Sequence, residues 1–263
     1  MRVAVILCML ASAMAAVADP LPLAVIKDVM KAKIGAFILI DCASGEITDS
    51  HPEASGQRLP PCSTFKIWNA LAGIEEGILT DATEPFYQWD GVRRSIAAWN
   101  KDMNLRDAFQ ASCVPAFQAL ARRIGPDRMN HWLNALDYGD KNTHAGIDVF
   151  WLPAADRSTL LISPKEQASL LSKLVRGELP VKPASIRLLK ELMEIHKTSK
   201  GTLYGKTGSG SSPDGKSKVG WFVGFSESGG RTFAFATCLQ GGDVSGFEAR
   251  ALSETILQGL ELL

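Results

Sequence analysis

The hydrophobic pattern of residues 61–79, PCSTFKIWNALAGIEEGIL, leaves no solvent face. Phe65, Ile67, Trp68, Ala70, Leu71, Ala72 and Ile74 cover nearly the whole circumference of a helix, and helices of that kind are buried. Elsewhere the pattern is more ordinary. Residues 22–33 predict a first helix, and 35–50 predict a β-hairpin around an Ala43-Ser44-Gly45 turn. A polar, Pro-rich connection then leads to the apolar helix. The chain from 80 to about 200 reads as mostly helical. Asn104 is placed as one N-cap. A second helix starts at Val114, with Pro115 near its first position and Gly125 as its stop. A third covers 126–139. A fourth opens on a capping box of Ser163 and Glu166 with Pro164 between them, and ends at Gly177. Residues 137–159 form a long connection without regular pattern, and such loops often carry function. Beyond 200 the period changes. Residues 201–210, 217–227 and 231–240 predict three successive antiparallel strands with Gly-rich turns, followed by a last helix over 248–263.

Strands at both ends and helices between them predict an α+β fold: one antiparallel sheet built from both chain ends and flanked by terminal helices, with an inserted, mainly helical lobe. The sheet lobe takes about 19–60 and 200–263, and the helical lobe about 61–199. A cleft between lobes is the natural ligand site. With 263 residues, 46% of them hydrophobic, the chain has enough material for this core. The 28 basic and 28 acidic residues cancel, and no charged block stands out, so there is no electrostatic case for a nucleic-acid or anionic-membrane partner.

The first 18 residues change the picture of location. Arg2, the apolar run Val3–Leu10 and the small-x-small site Ala16-Val17-Ala18 predict a removable export signal, with a periplasmic or secreted chain starting near Asp19. The apolar run is shorter than the roughly 20 residues that a membrane span needs. Export permits disulfides among Cys42, Cys62, Cys113 and Cys238. A Cys42–Cys62 bridge would close a loop of about 20 residues and add roughly 3 kcal/mol, although the sequence leaves the pairing open. No C-x-x-C and no ligand-like histidine spacing points to a metal.

Lys66 is the anomaly in the apolar helix. Ser63 and Lys66 stand at i and i+3 and share a face. A serine hydroxyl is a weak nucleophile unless a base lies beside it, and a lysine is a base only when neutral. Burial disfavours the charged amine, so the apolar surroundings of Lys66 are the means. Taken alone, Ser-x-x-Lys also fits a solvated stripe on an amphipathic helix. Lys206-Thr207-Gly208, on a strand, supplies a cation, a hydroxyl and a bare backbone edge, although alone it fits a Gly-rich hairpin. Ser-x-x-Lys followed by Lys-Thr-Gly is a known pairing of serine β-lactamases and penicillin-binding proteins. Ser112-Cys113-Val114 marks a break between two helices.

With PCSTFK (61–66), SCV (112–114), YGD (138–140), FWL (150–152), ISPKEQ (162–167), KTG (206–208), GWFVGF (220–225) and Arg250 in order, the chain resembles the class D, oxacillinase-type serine β-lactamases over essentially its whole mature length. The resemblance implies hydrolysis of the β-lactam amide through a serine acyl-enzyme, and with it antibiotic resistance. Ser63 would be the nucleophile. Lys66 would be N-carboxylated by carbon dioxide or bicarbonate, with no other cofactor and no metal, and would act as general base. Trp151 would hydrogen-bond that carbamate. Ser112 would relay a proton, and Val114 would shield the carbamate and gate water. The backbone N–H groups of Ser63 and Ser209 would form the oxyanion hole. Lys206, Thr207 and Arg250, with Gly208 beside them, would bind the substrate carboxylate. Penicillins and oxacillin-like compounds are the implied partners of a monomer or homodimer. Two other functions fit the same motifs: a β-lactam sensor that stays acylated, and a cell-wall transpeptidase. One position departs from the family pattern, since Asp140 stands where Asn is usual. That departure bears on substrate range, because an ionised Asp only accepts hydrogen bonds. Cys113 reads either as inert packing or as a reactive thiol.

Overall fold

The structure is a computed structural model, and it describes residues 23–154 and 158–263. The export signal expected over 1–18 lies outside the described residues. Among those described, no helix is long and apolar enough to cross a membrane.

The first strand, β1 (Gly35–Asp41), is buried along its whole length, as an uninterrupted Ala-Phe-Ile-Leu-Ile run requires. It pairs with β2 (Ile47–Asp49) on one side. On the other side follow β8 (Arg231–Gly241), β7 (Lys218–Ser228), β6 (Gly201–Ser211) and β5 (Glu194–Lys197), all antiparallel, in the order β2-β1-β8-β7-β6-β5. The sheet from both chain ends is therefore present as expected. Successive side chains leave opposite faces of a strand. Phe37 and Leu39 pack with Phe222 and Phe235 against the terminal helices α1 (Leu23–Met30) and α9 (Gly246–Gly259). Ile38 and Ile40 face the other way, into the core shared with the helical region.

That region holds α2 (Pro52–Gly56), α3 (Lys66–Glu75), α4 (Leu105–Gln110), α5 (Val114–Ile124), α6 (Pro126–Ala135), α7 (Pro164–Val175) and α8 (Pro183–Met193), with a small pair of strands, β3 (Pro85–Tyr87) and β4 (Met103–Asn104). The caps act as the sequence predicts. Asn104 accepts from the Asp107 amide, and Ser163 and Glu166 close a capping box. In α5, Phe117, Leu120, Ala121 and Ile124 are buried at the i, i+3, i+4, i+7 spacing of a one-faced helix. In α3, Lys66 through Gly73 are all buried, so the helix without a solvent face is the central one.

Several local expectations fail for identifiable reasons. Ser63 does not start an α-helix. Cys62–Phe65 form a 3-10 turn, and α3 begins at Lys66. The helix predicted over 126–139 stops at Ala135, because Asp137 and Gly139 take positive φ values of 51°. The last helix begins at Gly246, capped by Ser245. The Cys42–Cys62 bridge is absent. Both thiols are free and buried, and each donates to a carbonyl two residues upstream, Cys42 to Ile40 and Cys62 to Pro60.

Asp140 fills the role that an asparagine carbonyl would. Its Oδ1 accepts from the backbone amides of Leu161 at 2.9 Å and Asn142 at 3.2 Å, and it is exposed. Both contacts need only an acceptor. Asp140→Asn is therefore expected to change stability by less than about 0.5 kcal/mol, in the range of ordinary surface substitutions. Thermal unfolding of the variant checks this, and a drop of several degrees would show that the negative charge itself matters.

Candidate active site

Site geometry begins with the turn that precedes α3. In a 3-10 turn, side chains at i and i+3 eclipse one another. That brings Lys66 Nζ to 2.8 Å from Ser63 Oγ. The turn is braced from behind. Thr64 Oγ1 donates to Pro61 O at 2.7 Å and accepts from Gln167 Nε2 at 2.8 Å, and Trp221 Nε1 donates to Pro60 O. Strand β6 presses on its front. A Cβ at Gly208 would come 3.0 Å from Pro61 O and 3.1 Å from Thr64 Cγ2, so the Lys-Thr-Gly strand approaches the nucleophile turn as closely as glycine allows.

Lys66 is fully buried while Ser63 is only half-buried, so the amine lies beneath the hydroxyl. Burial holds the Lys66 amine well below the ordinary lysine range. The nearby charge of Lys206 pushes it the same way, and the thiols of Cys113 and Cys62 pull less strongly in the other. The amine's other neighbour is the Phe117 ring, 5.7 Å away. Phe65 stacks on Trp151 at 5.6 Å, and Tyr138 and Phe150 meet it edge-on. This aromatic wall ties the long loop to the core at Phe150 and Trp151, both fully buried. The Trp151 indole N–H has no hydrogen-bond partner among the described residues. The Trp68 indole N–H is likewise unpaired there, and a buried unpaired donor is costly.

Ser112 sits between α4 and α5 with φ of +52°, a left-handed conformation that is strained for serine. Its Oγ accepts from Lys206 Nζ at 3.0 Å, and Trp99 Nε1 holds the preceding carbonyl, Ala111 O, at 2.9 Å. Burial lowers Lys206 to about 7. Cys113 is fully buried and its thiol is pushed up by desolvation, which is the packing reading of that residue. Val114 opens α5, half-buried beside it.

Ser112, Lys206, Thr207 and Arg250 line one cleft of about 310 Å³. Arg250 donates through Nε to Glu254 at 2.7 Å, which orients the guanidinium. Ser209, the next residue on β6 after Gly208, is exposed and accepts from Gly246 N at 2.8 Å. The predicted residues thus fall into two sets, the bonded pair Ser63 and Lys66 with Trp151 stacked on the intervening Phe65, and Ser112, Lys206, Thr207 and Arg250 along the cleft. A wider hollow of about 620 Å³ beside Tyr87, Asp102 and Asn104 holds no nucleophile paired with a base among the described residues. Sequence reading missed the bracing pair Thr64–Gln167 and the cleft residues Leu192 and Phe247.

A buried lysine at neutral pH carries fewer protons when folded than when unfolded, so stability rises with pH between its folded and unfolded values. For Lys206 the window runs from about 7 up to the ordinary lysine value. Lys206→Met is expected to flatten that rise by as much as ~1.4 kcal/mol per pH unit. Urea unfolding at pH 7 and 9 in carbonate-free buffer reads it. Equal slopes in both proteins would show that Lys206 titrates like a solvated lysine.

Known proteins resemble the chain in sequence and in fold. The penicillin binding protein transpeptidase domain family matches residues 35–258. A probable β-lactamase of Bacillus subtilis, YbxI, is 37% identical over 238 residues, 90% of this chain and 85% of its own. The class D β-lactamase FUS-1 (OXA-85) of Fusobacterium nucleatum subsp. polymorphum superposes with a TM-score of 0.83 at 33% identity, covering 90% of this chain and 98% of that one. The C-terminal domain of the Bacillus licheniformis BlaR penicillin-receptor superposes with a TM-score of 0.82 at 30% identity, covering 92% and 95%. With a six-stranded antiparallel sheet, a Ser-x-x-Lys turn and a Lys-Thr-Gly strand in contact, the chain belongs to the class D β-lactamase family, within the penicillin-binding transpeptidase fold.

Proposed function

We propose that the protein hydrolyses the amide bond of penicillin- and oxacillin-type β-lactams through an acyl-enzyme on Ser63, and so confers resistance to them. The observation that carries the reading is the fully buried Lys66 amine 2.8 Å from a half-buried serine hydroxyl. Kept neutral by its pocket, Lys66 is open to N-carboxylation by carbon dioxide. So modified, it supplies an anionic base for both acylation and deacylation. The Trp151 N–H would donate to it. An anion on Lys66 would also relieve the repulsion between the two lysines and favour a protonated Lys206. Ser63 Oγ attacks the lactam carbonyl carbon, and the oxygen of that carbonyl gathers negative charge between the backbone N–H groups of Ser63 and Ser209. Ser112, already bonded to Lys206, passes a proton to the departing lactam nitrogen. Lys206, Thr207 and Arg250 hold the substrate carboxylate, and Val114 shields the modified lysine from bulk water. The leader over 1–18 would deliver the chain to the periplasm or the exterior, where its substrates arrive.

The likeness to the BlaR receptor domain supports a second reading, in which the serine is acylated and not released. One experiment separates the two. Purified protein is mixed with a chromogenic β-lactam, with and without bicarbonate, beside Ser63→Ala. Repeated turnover, raised by bicarbonate and absent in the variant, is the result expected of a hydrolase. A single stoichiometric burst with a lasting adduct by mass spectrometry would favour the receptor.

A further inference from the structure

We infer that Phe247 forms, with the other apolar residues of its cleft, a subsite for a neutral or cationic aromatic substituent carried next to the substrate carboxylate. The inference rests on the β-lactam reading of the cleft and names the kind of β-lactam that the cleft favours.

The position of Phe247 is fixed by its neighbour. Gly246 N–H donates to Ser209 Oγ at 2.8 Å. A Cβ at Gly246 would come 2.7 Å from Gly208 O and 3.0 Å from Thr207 Cβ, so the start of α9 is seated directly on the Lys-Thr-Gly strand. Phe247 and Arg250 are i and i+3 on that helix and share a face. Both line the cleft of about 310 Å³ together with Lys206 and Thr207.

A single exposed apolar residue ordinarily needs no explanation. Phe247 is different because of what surrounds it. At 78% exposure it is the most exposed large apolar side chain among the described residues, and it stands on the rim of a cleft rather than on an open face. Leu192, Ile195 and Phe109 contribute apolar surface to the same cleft. The cleft therefore combines cationic groups, Lys206 and Arg250, with apolar surface from Phe247, Leu192, Ile195 and Phe109. That pattern suits an amphipathic anion whose carboxylate meets the cations and whose adjoining ring lies against Phe247. Glu194 lines the cleft as well, so a second negative charge on the substituent is disfavoured.

The test compares two β-lactams that share one acyl side chain. One carries an aryl substituent beside the carboxylate, and the other carries a methyl group there. KM and kcat are measured for the wild type, Phe247→Ala and Phe247→Leu. The ratio of the two KM values is expected to shift against the aryl compound by roughly tenfold in Phe247→Ala, in the range of one well-placed aromatic contact. In Phe247→Leu it shifts by less. Because the ring is exposed, its removal leaves no cavity, and equal melting temperatures confirm that. An unchanged ratio with both compounds turned over would overturn the subsite alone. Turnover of neither compound by the wild type would overturn the hydrolase reading and the subsite with it.

Discussion

Lys66→Met is expected to lose about 10²–10⁴-fold in turnover of a chromogenic β-lactam, the usual reach of a general base, while melting at the same temperature or higher. The two halves of that result have one cause. Lys66 is fully buried, it forms no ion pair among the described residues, and its polar contact is the hydroxyl of Ser63. A buried amine without a counter-ion weakens the fold, since water solvates the ammonium of the unfolded chain far better. Methionine has a similar length and fills irregular apolar space well. The position thus trades stability for function, as strained or desolvated active-site groups commonly do. Stopped-flow or steady-state kinetics, beside thermal melts in carbonate-free buffer where the amine is unmodified, decides the matter. Activity within tenfold of the wild type, or a large drop in melting temperature, would make Lys66 a structural residue.

How much of this was legible in the sequence depends on the kind of signal. The sheet was readable because β1, β7 and β8 carry long apolar runs, and because glycines punctuate β6 and the turns between the last strands. The junction of α8 and β5 was not, because Met193 passes into Glu194 with no glycine or proline to mark the change of period. The Ser63–Lys66 pairing was legible although the turn type was not, since α and 3-10 geometry both bring i and i+3 together. Cysteine spacing carries no geometry, so Cys42 and Cys62 offered a plausible loop and turned out to be separate buried thiols. Asp140 looked like a perturbing charge because sequence cannot show which atoms a side chain uses. Its Oδ1 faces two backbone amides, as an amide oxygen would. Phe247 escaped notice for a related reason. An aromatic residue at a helix start means nothing until the contacts of Gly246 seat that helix on the Lys-Thr-Gly strand and Phe247 lines the cleft.

Trp151→Phe is expected to weaken carbon dioxide capture by roughly tenfold to a hundredfold, the equivalent of one charge-assisted hydrogen bond of about 1.5–3 kcal/mol. In the wild type the indole N–H is buried with no partner among the described residues, on a ring stacked against Phe65, the residue before Lys66. Under the proposed mechanism, capture would form an N–C bond between Lys66 Nζ and carbon dioxide, and the nitrogen would give a proton to solvent. Acid therefore drives the reaction backwards, and it also protonates the free amine, so both effects lower the modified fraction as pH falls. The phenylalanine ring keeps most of the stacking on Phe65 and removes only the donor. Activity of the variant should fall at ambient carbon dioxide, fall further below pH 6, and return as bicarbonate is raised. A variant that was merely misfolded would not respond to bicarbonate. With 13C-bicarbonate, the carbamate resonance should saturate at a higher concentration in Trp151→Phe than in the wild type. Identical saturation curves, or activity indifferent to bicarbonate in both proteins, would remove the indole from the mechanism and leave its buried N–H unexplained.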